Sequence, residues 1–273
     1  MKDLVTVEPR NGYAIVRLDR PEKKNAMNRQ ARRELLAAFH TSRVGCKAVV
    51  LTGSGDSFCS GVDLKEARAD ADAGTPPDPR SDWIEVLLAI REHPAIFVAA
   101  VNGFALGGGA TLISMCDLAI AAEEAEIGMP EIGFGAYPQF SGPAAQIQLT
   151  PKRAAWLVLT AERIDGRTAE AWGMVNRSVA LDRLMAEAEL LADKLSRFDA
   201  VALAESKRAL DIVPGSISGW QQAFSYGMVI NTRIRTSSSA QREGFSRFAA
   251  GERNLGQGRT SRMPDRTDPG SAG

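Results

Sequence analysis

The spacing of apolar residues changes several times along the chain, and each change marks a new element. Tyr13 to Leu18 is rich in β-branched residues, which predicts a strand. From Asn28 to Ser42 the apolar positions Ala31, Leu35, Ala38 and Phe39 fall at helical spacing, which predicts an amphipathic helix. Lys47 to Leu51 returns to strand, and Gly53 to Gly61 is Gly/Ser-rich and predicts a loop. Ala69 to Pro79, rich in Pro, Gly and Asp, predicts a surface excursion before a helix from Ser81 to Arg91. Ala95 to Val101 is a strand, a helix begins within Gly107-Gly108-Gly109, and Leu118 to Ala121 is a short strand. After two helical stretches, Val175 to Val179 closes the α/β part. Beyond Arg183 the pattern is helical: Leu184 to Leu195, Val201 to Leu210, Trp220 to Ile234 and Ala240 to Phe248. The surplus of apolar faces there suggests contacts between subunits. From Gly256 the sequence is poor in apolar residues and predicts a disordered tail. The expected organisation is a core over 1–182, a helical oligomerisation region over 183–255 and a tail over 256–273.

The chain has 273 residues, enough to enclose a catalytic cleft. Lys plus Arg and Asp plus Glu number 33 each, so the overall field favours neither nucleic acid nor an anionic membrane, and any anionic ligand must be held locally. Cys46, Cys59 and Cys116 form no CxxC pair and no even framework, and the N-terminus, with Asp3 and Glu8 among scattered apolar residues, shows no secretory pattern. A cytoplasmic protein is expected. Ala95 to Ala122 is apolar over more than the ~20 residues that span a bilayer. Asn102, the glycine run and Asp117 would all then sit in hydrocarbon, so a buried strand and helix account for it better.

Two glycine-bearing loops follow strands. LTGSGDSFCSG (Leu51–Gly61) opens like a dinucleotide fingerprint, but Phe58 occupies the third glycine position, and the P-loop Lys-Ser/Thr is absent. A serine nucleophile at Ser57 or Ser60 would need a base, and His40 and His93 are the only histidines. GFALGGGAT (Gly103–Thr111) leads into an apolar helix, whose free N–H groups and positive end suit a phosphate or a developing oxyanion. No lysine follows to bind phosphate. Tight helix packing with no ligand is the alternative.

RPEKKNAMN, SFCSGVDLKE, AAVNGFALGGGA, IGMPEIGFG and LTAERIDGRTAEAWGMVN follow one another in this order along the chain, and together they resemble the crotonase (enoyl-CoA hydratase/isomerase) superfamily. RPEKKNAMN (Arg20–Asn28) is similar to an early loop that shapes the coenzyme A site, and SFCSGVDLKE (Ser57–Glu66) to the first oxyanion loop. AAVNGFALGGGA (Ala99–Ala110) is similar to the second oxyanion loop, IGMPEIGFG (Ile127–Gly135) to the segment bearing a catalytic carboxylate, and LTAERIDGRTAEAWGMVN (Leu159–Asn176) to the helix-turn region after it. The resemblance spans roughly residues 10–250. It implies an α/β fold, a spiral of ββα units with a C-terminal helical region, assembled as a homotrimer or hexamer. It also implies an acyl-CoA substrate, as in fatty acid metabolism, with no separate cofactor, metal, membrane or nucleic-acid partner.

Carried over by position, the resemblance makes the N–H groups of Val62 and Gly108 the oxyanion donors and Glu131 the acid/base. Lys24, Ala26, Ser60, Gly61, Asp63, Leu64, Gly107, Tyr137, Gln139 and Tyr226 become substrate-binding positions. Asp63 could equally cap a helix. Apolar and glycine neighbours around Glu131 favour a raised pKa. Thr111 departs from the pattern, because two-glutamate hydratases carry their other glutamate there. A threonine can hold a water but cannot act as a carboxylate base. Gln139 stands where dienoyl isomerases and an aryl-CoA dehalogenase place aspartate, which counts against those activities. Hydration, double-bond migration and hydration with retro-aldol cleavage remain, in that order; Tyr226 resembles the substrate-recognising tyrosine of feruloyl-CoA hydratase-lyases, but its place could also be that of a packing aromatic. A non-catalytic acyl-CoA-binding homologue is the alternative of another class.

Overall fold

The computed structural model describes residues 3–73, 82–216 and 220–250. In chain order these form β1 (Val5–Pro9), β2 (Tyr13–Leu18), α1 (Arg29–Ser42), β3 (Ala48–Gly53), β4 (Ser57–Cys59), α2 (Leu64–Asp72), α3 (Asp82–Glu92), β5 (Ile96–Val101), β6 (Phe104–Leu106) and α4 (Gly108–Met115). Then come β7 (Leu118–Ala122), β8 (Ile127–Gly128), α5 (Ser141–Gln148), α6 (Pro151–Thr160), α7 (Gly166–Trp172), β9 (Arg177–Val179), α8 (Leu181–Ser196), α9 (Ala200–Ser216), α10 (Trp220–Ser237) and α11 (Ala240–Ala249).

The larger sheet has the order β1-β2-β3-β5-β7-β9, parallel except for the antiparallel edge pair β1-β2. A smaller parallel sheet has the order β4-β6-β8. Each of β3, β5 and β7 is followed within a few residues by its partner in the smaller sheet, and then the chain turns into helix. Three turns of a ββα spiral result, the architecture that the resemblance implied. β3 and β5 are buried along their whole length, which is why they read as continuous apolar runs rather than alternations. The apolar stretch Ala95 to Ala122 becomes β5, β6, α4 and β7 inside this core, and no helix among the described residues is long and apolar enough to cross a membrane.

Helix α1 starts where Asn28 accepts a hydrogen bond from the Ala31 N–H, closing its first turn. Helix α8 lays Leu184, Ala188, Ala192 and Leu195 across β3, β5 and β7, so the expected division at 182/183 runs through a helix that packs on the sheet. Lys207 of α9 is buried and donates to the Ile90 and Ala95 carbonyls, while pairing with Asp117 at 2.9 Å. Burial lowers its pKa and Asp117 opposes the shift. This ammonium fastens α9 to the spiral, and α10 then packs on α9.

Several expectations need correction. The segment Gly53 to Gly61 is not all loop, because β4 forms within it, and β6 precedes the helix in Gly103 to Thr111. Strands β1 and β8 were not expected, and three helices rather than two separate β8 from β9. Helix α2 runs into the start of the Ala69–Pro79 excursion; the rest of that excursion, and the tail from 256, lie outside the described residues.

Candidate active site

The small sheet builds the site. Its register pairs Cys59 with Ala105 and Ala105 with Ile127, so the three strands end level with one another. Three residues past Cys59 stands Val62, three past Ala105 stands Gly108, and four past Ile127 stands Glu131. Three segments far apart in sequence thus deliver their chemistry to one end of one sheet.

Among the described residues, two backbone donors are left open there. Val62 bridges to Met27 in parallel: the Met27 N–H donates to the Gly61 carbonyl and the Asp63 N–H to the Met27 carbonyl. In that pattern the Val62 N–H faces away from the bridge. Gly108 opens α4, where the first N–H groups have no acceptor within the helix and the dipole favours negative charge. The two loops abut: a side-chain carbon on Gly108 would lie 3.1 Å from Gly61 Cα and 3.5 Å from Val62 N. Gly61, at φ +92°, and Gly107, at φ +52°, hold backbone conformations that L side chains rarely adopt, which lets the strands turn straight into the donors.

Glu131 lies in a short 3-10 turn, Pro130–Phe134, led by a proline at its first position. Its Oε1 would be 2.8 Å from a Cβ on Gly107, so the carboxylate sits directly over the residue preceding Gly108. Oε1 accepts from the Ser141 hydroxyl at 3.4 Å, and Oε2 is buried with no partner among the described residues. Burial pushes the carboxyl above its ordinary range, while its own backbone N–H and Ser141 oppose part of the shift. A half-buried carboxylate with a free lone-pair face beside two open N–H groups can exchange a proton next to a forming oxyanion.

Thr111 sits one turn into α4, buried, with its hydroxyl donating to the Gly107 carbonyl at 3.2 Å. Its one proton is committed, so toward a water it can only accept. Asp63 accepts from Arg20 at 2.6 Å and from the Lys65 and Glu66 N–H groups. Burial opposes its ionisation, but these donors outweigh it and hold the carboxyl below its usual range. Asp63 therefore caps α2. Lys24 is exposed, at φ +49°, with its ammonium 3.6 Å from the centre of the Phe104 ring; Ala26 is half-buried, and the Ser60 N–H donates to the Lys24 carbonyl. Leu64, Tyr137 and Gln139 are exposed, and the Tyr137 hydroxyl accepts from Gln146. Tyr226, on α10, has a buried hydroxyl that bonds to none of these groups.

Gly61, Val62, Gly107, Gly108 and Glu131 thus converge, with Thr111 bracing the glycine turn. Sequence reasoning passed over Ser141, whose hydroxyl reaches Glu131 from the start of α5, and Trp83, whose ring packs on Gly108. Neither has a sequence signal, since a lone Ser at a helix start and a lone Trp in an amphipathic helix are ordinary.

A family model described as enoyl-CoA hydratase/isomerase matches residues 8–250. The chain belongs to that family. It is 35% identical over 257 residues to a probable enoyl-CoA hydratase of Rhizobium meliloti (strain 1021), covering 91% of this chain and 95% of the relative. A hydroxycinnamoyl-CoA hydratase-lyase of Pseudomonas fluorescens is 31% identical over 255 residues, covering 89% and 91%. The crystal structure of an enoyl-CoA hydratase from Mycobacterium smegmatis superposes with a TM-score of 0.83 at 29% identity, covering 92% of this chain and 98% of that one.

Proposed function

We propose that this family member is an enoyl-CoA hydratase that works with a single carboxylate. The observation that carries the reading is Glu131, its pKa raised by burial and one oxygen unpartnered, seated over Gly107 beside the open N–H groups of Gly108 and Val62. The thioester oxygen of a 2-enoyl-CoA lies between the two N–H groups. Glu131 takes a proton from water as the water oxygen bonds to C3, and the electron pair of the double bond moves to give an enolate. The N–H groups stabilise that oxyanion more than the ground-state carbonyl. Glu131 then returns the proton to C2, completing addition of one water. Thr111 accepts a hydrogen bond from that water. Lys24, Ala26, Ser60, Leu64, Tyr137 and Gln139 contact the coenzyme A thioester, Lys24 bringing positive charge toward its phosphates, and Asp63 supports this wall by capping α2. No separate cofactor takes part.

Hydration with retro-aldol cleavage has one observation in its favour, the buried Tyr226 hydroxyl, unpartnered among the described residues, together with the hydratase-lyase relative. A homotrimer or hexamer belongs to the same reading, supported by the exposed Leu210, Met228 and Val229 on α9 and α10. So does a cytoplasmic location, supported by three free thiols, of which burial pushes Cys59 up to about 12. The test is turnover of a panel of 2-enoyl-CoA thioesters in H₂¹⁸O, read by mass spectrometry. ¹⁸O at C3 of the product supports hydration; an aldehyde and a shortened thioester support cleavage; acyl-CoA binding without turnover of any thioester overturns the enzymatic reading.

A further inference from the structure

Trp83 is 2% exposed, yet its indole Nε1 is buried and has no hydrogen-bond partner among the described residues. A buried indole N–H usually finds an acceptor, because leaving it unmade forfeits the bond it had with water. The ring's position tells what it faces. Its Cζ2 lies 3.0 Å from where a Cβ on Gly108 would stand, and Cζ2 is two bonds from Nε1. The unsatisfied donor is therefore beside the glycine that supplies an oxyanion N–H. Glu131 Oε2 is also buried and unpartnered near the same glycine turn, but the two orphans do not satisfy each other.

The indole is also held in place. Arg32, buried at 7% exposure on α1, donates to the Met27 carbonyl and to Glu66 of α2, and its Nε stands 2.7 Å from Asp82 Oδ1 at the start of α3. The residue adjoining Trp83 is thus clamped to the segment that carries Val62. A fixed, dry donor next to the reacting thioester is arranged for a ligand atom rather than for solvent.

We propose that Trp83 determines acyl specificity, its indole N–H donating to an uncharged oxygen carried by the acyl group of the substrate. Indole is a donor only, so the matching atom is an acceptor: a hydroxyl, ether or carbonyl oxygen. A carboxylate fits less well, because the nearby Arg32 is already engaged by Glu66 and Asp82. The proposal rests on the acyl-CoA reading above and narrows its substrate class to oxygen-bearing enoyl thioesters.

The experiment compares wild type, Trp83→Phe and protein carrying benzothienylalanine at position 83, which keeps the bicyclic shape and deletes the N–H. Substrates are straight-chain 2-enoyl-CoA thioesters and their counterparts bearing a hydroxyl or methoxy group at successive carbons. For wild type, at least one oxygenated member should exceed its plain counterpart in kcat/KM, and both variants should lose roughly ten- to a hundred-fold more on that member than on the plain one. Equal losses on plain and oxygenated thioesters would make Trp83 a packing residue and overturn the proposal, as would a wild-type series with no preference. Binding of saturated acyl-CoA analogues, followed through the ¹⁵N-indole resonance absent from Trp83→Phe, tests the contact without turnover. A downfield shift with oxygenated analogues only supports it, and identical shifts with both refute it. Failure of all thioesters to react, with that shift retained, would sink the hydratase reading and leave the recognition role standing.

Discussion

Replacing Glu131 by glutamine keeps the size of the side chain and deletes its ability to move a proton. The structure sets how much else is lost. Oε1 receives one long side-chain hydrogen bond, from Ser141 at 3.4 Å, and Oε2 receives none among the described residues, so the amide gives up little that holds the loop together. Thr111 cannot take over, since its proton is bound to the Gly107 carbonyl, and Asp63 is occupied by Arg20 and the α2 N–H groups. The expected loss in kcat is roughly 10²–10⁴-fold, or about 2.7–5.4 kcal/mol, the range for removing a general acid/base. KM should change little, because the oxyanion donors remain.

Stability should move in the opposite direction. The folded carboxyl titrates above its ordinary value of 4.5, so folding favours the protonated form. The penalty of burying the charge is absent below that value and grows as pH rises through the folded pKa. Glu131→Gln should therefore be more stable than wild type at neutral pH, with the difference vanishing below about pH 4.5. The assays are hydration of a 2-enoyl-CoA, exchange of the C2 hydrogen with D₂O, and thermal unfolding across pH. In wild type, kcat/KM should fall on the acid side with an apparent pKa above 4.5. A folded Glu131→Gln protein that still exchanges C2 hydrogen, or keeps more than a tenth of kcat, would refute the assignment.

Gly108→Pro should fold, since proline is tolerated at the first position of a helix, yet lose its N–H and with it roughly 10²–10³ in kcat relative to Gly108→Ala. The alanine control carries the same Cβ against Trp83, so equal kcat in the two variants would remove this donor from the mechanism. His93 is buried between the Phe39 carbonyl and the Ala95 N–H, and burial lowers its pKa to about 4 from 6.5. Its contribution, up to about 3 kcal/mol, is present above pH 6.5 and lost as pH falls toward 4. Chemical denaturation should show that slope in wild type and a shallower one in His93→Gln. Light scattering at micromolar concentration should give a trimer or hexamer, and a stable monomer would contradict the assembly proposed from α9 and α10.

The sequence determined those elements whose own apolar pattern is enforced by burial. β2, β3, β5 and β7 run through the middle of the large sheet, and near-continuous covering makes most of their residues apolar, with Arg17 and Thr52 the polar interruptions. α1 and α8 each press one face onto the core and so keep helical spacing. β4, β6 and β8 carry three, three and two residues, too few for any period, and their positions come from register with one another. β1, an edge strand, escaped for a related reason, since only Val5 among its residues is buried.

The candidate site divides along the same line. Gly103–Thr111, Ser57–Glu66 and Glu131 were legible as candidates because their order along the chain resembled a known family pattern. Which atoms they leave open was not. Among the described residues, the open N–H groups at Val62 and Gly108, the unpartnered Glu131 oxygen and the orphaned Trp83 indole arise where segments separated by dozens of residues meet, and the Ser141 contact joins two elements ten residues apart. Local sequence fixes a residue's type and the conformations it prefers; hydrogen-bond vacancies and burial depend on every neighbour that folding brings, and only the tertiary structure decides those.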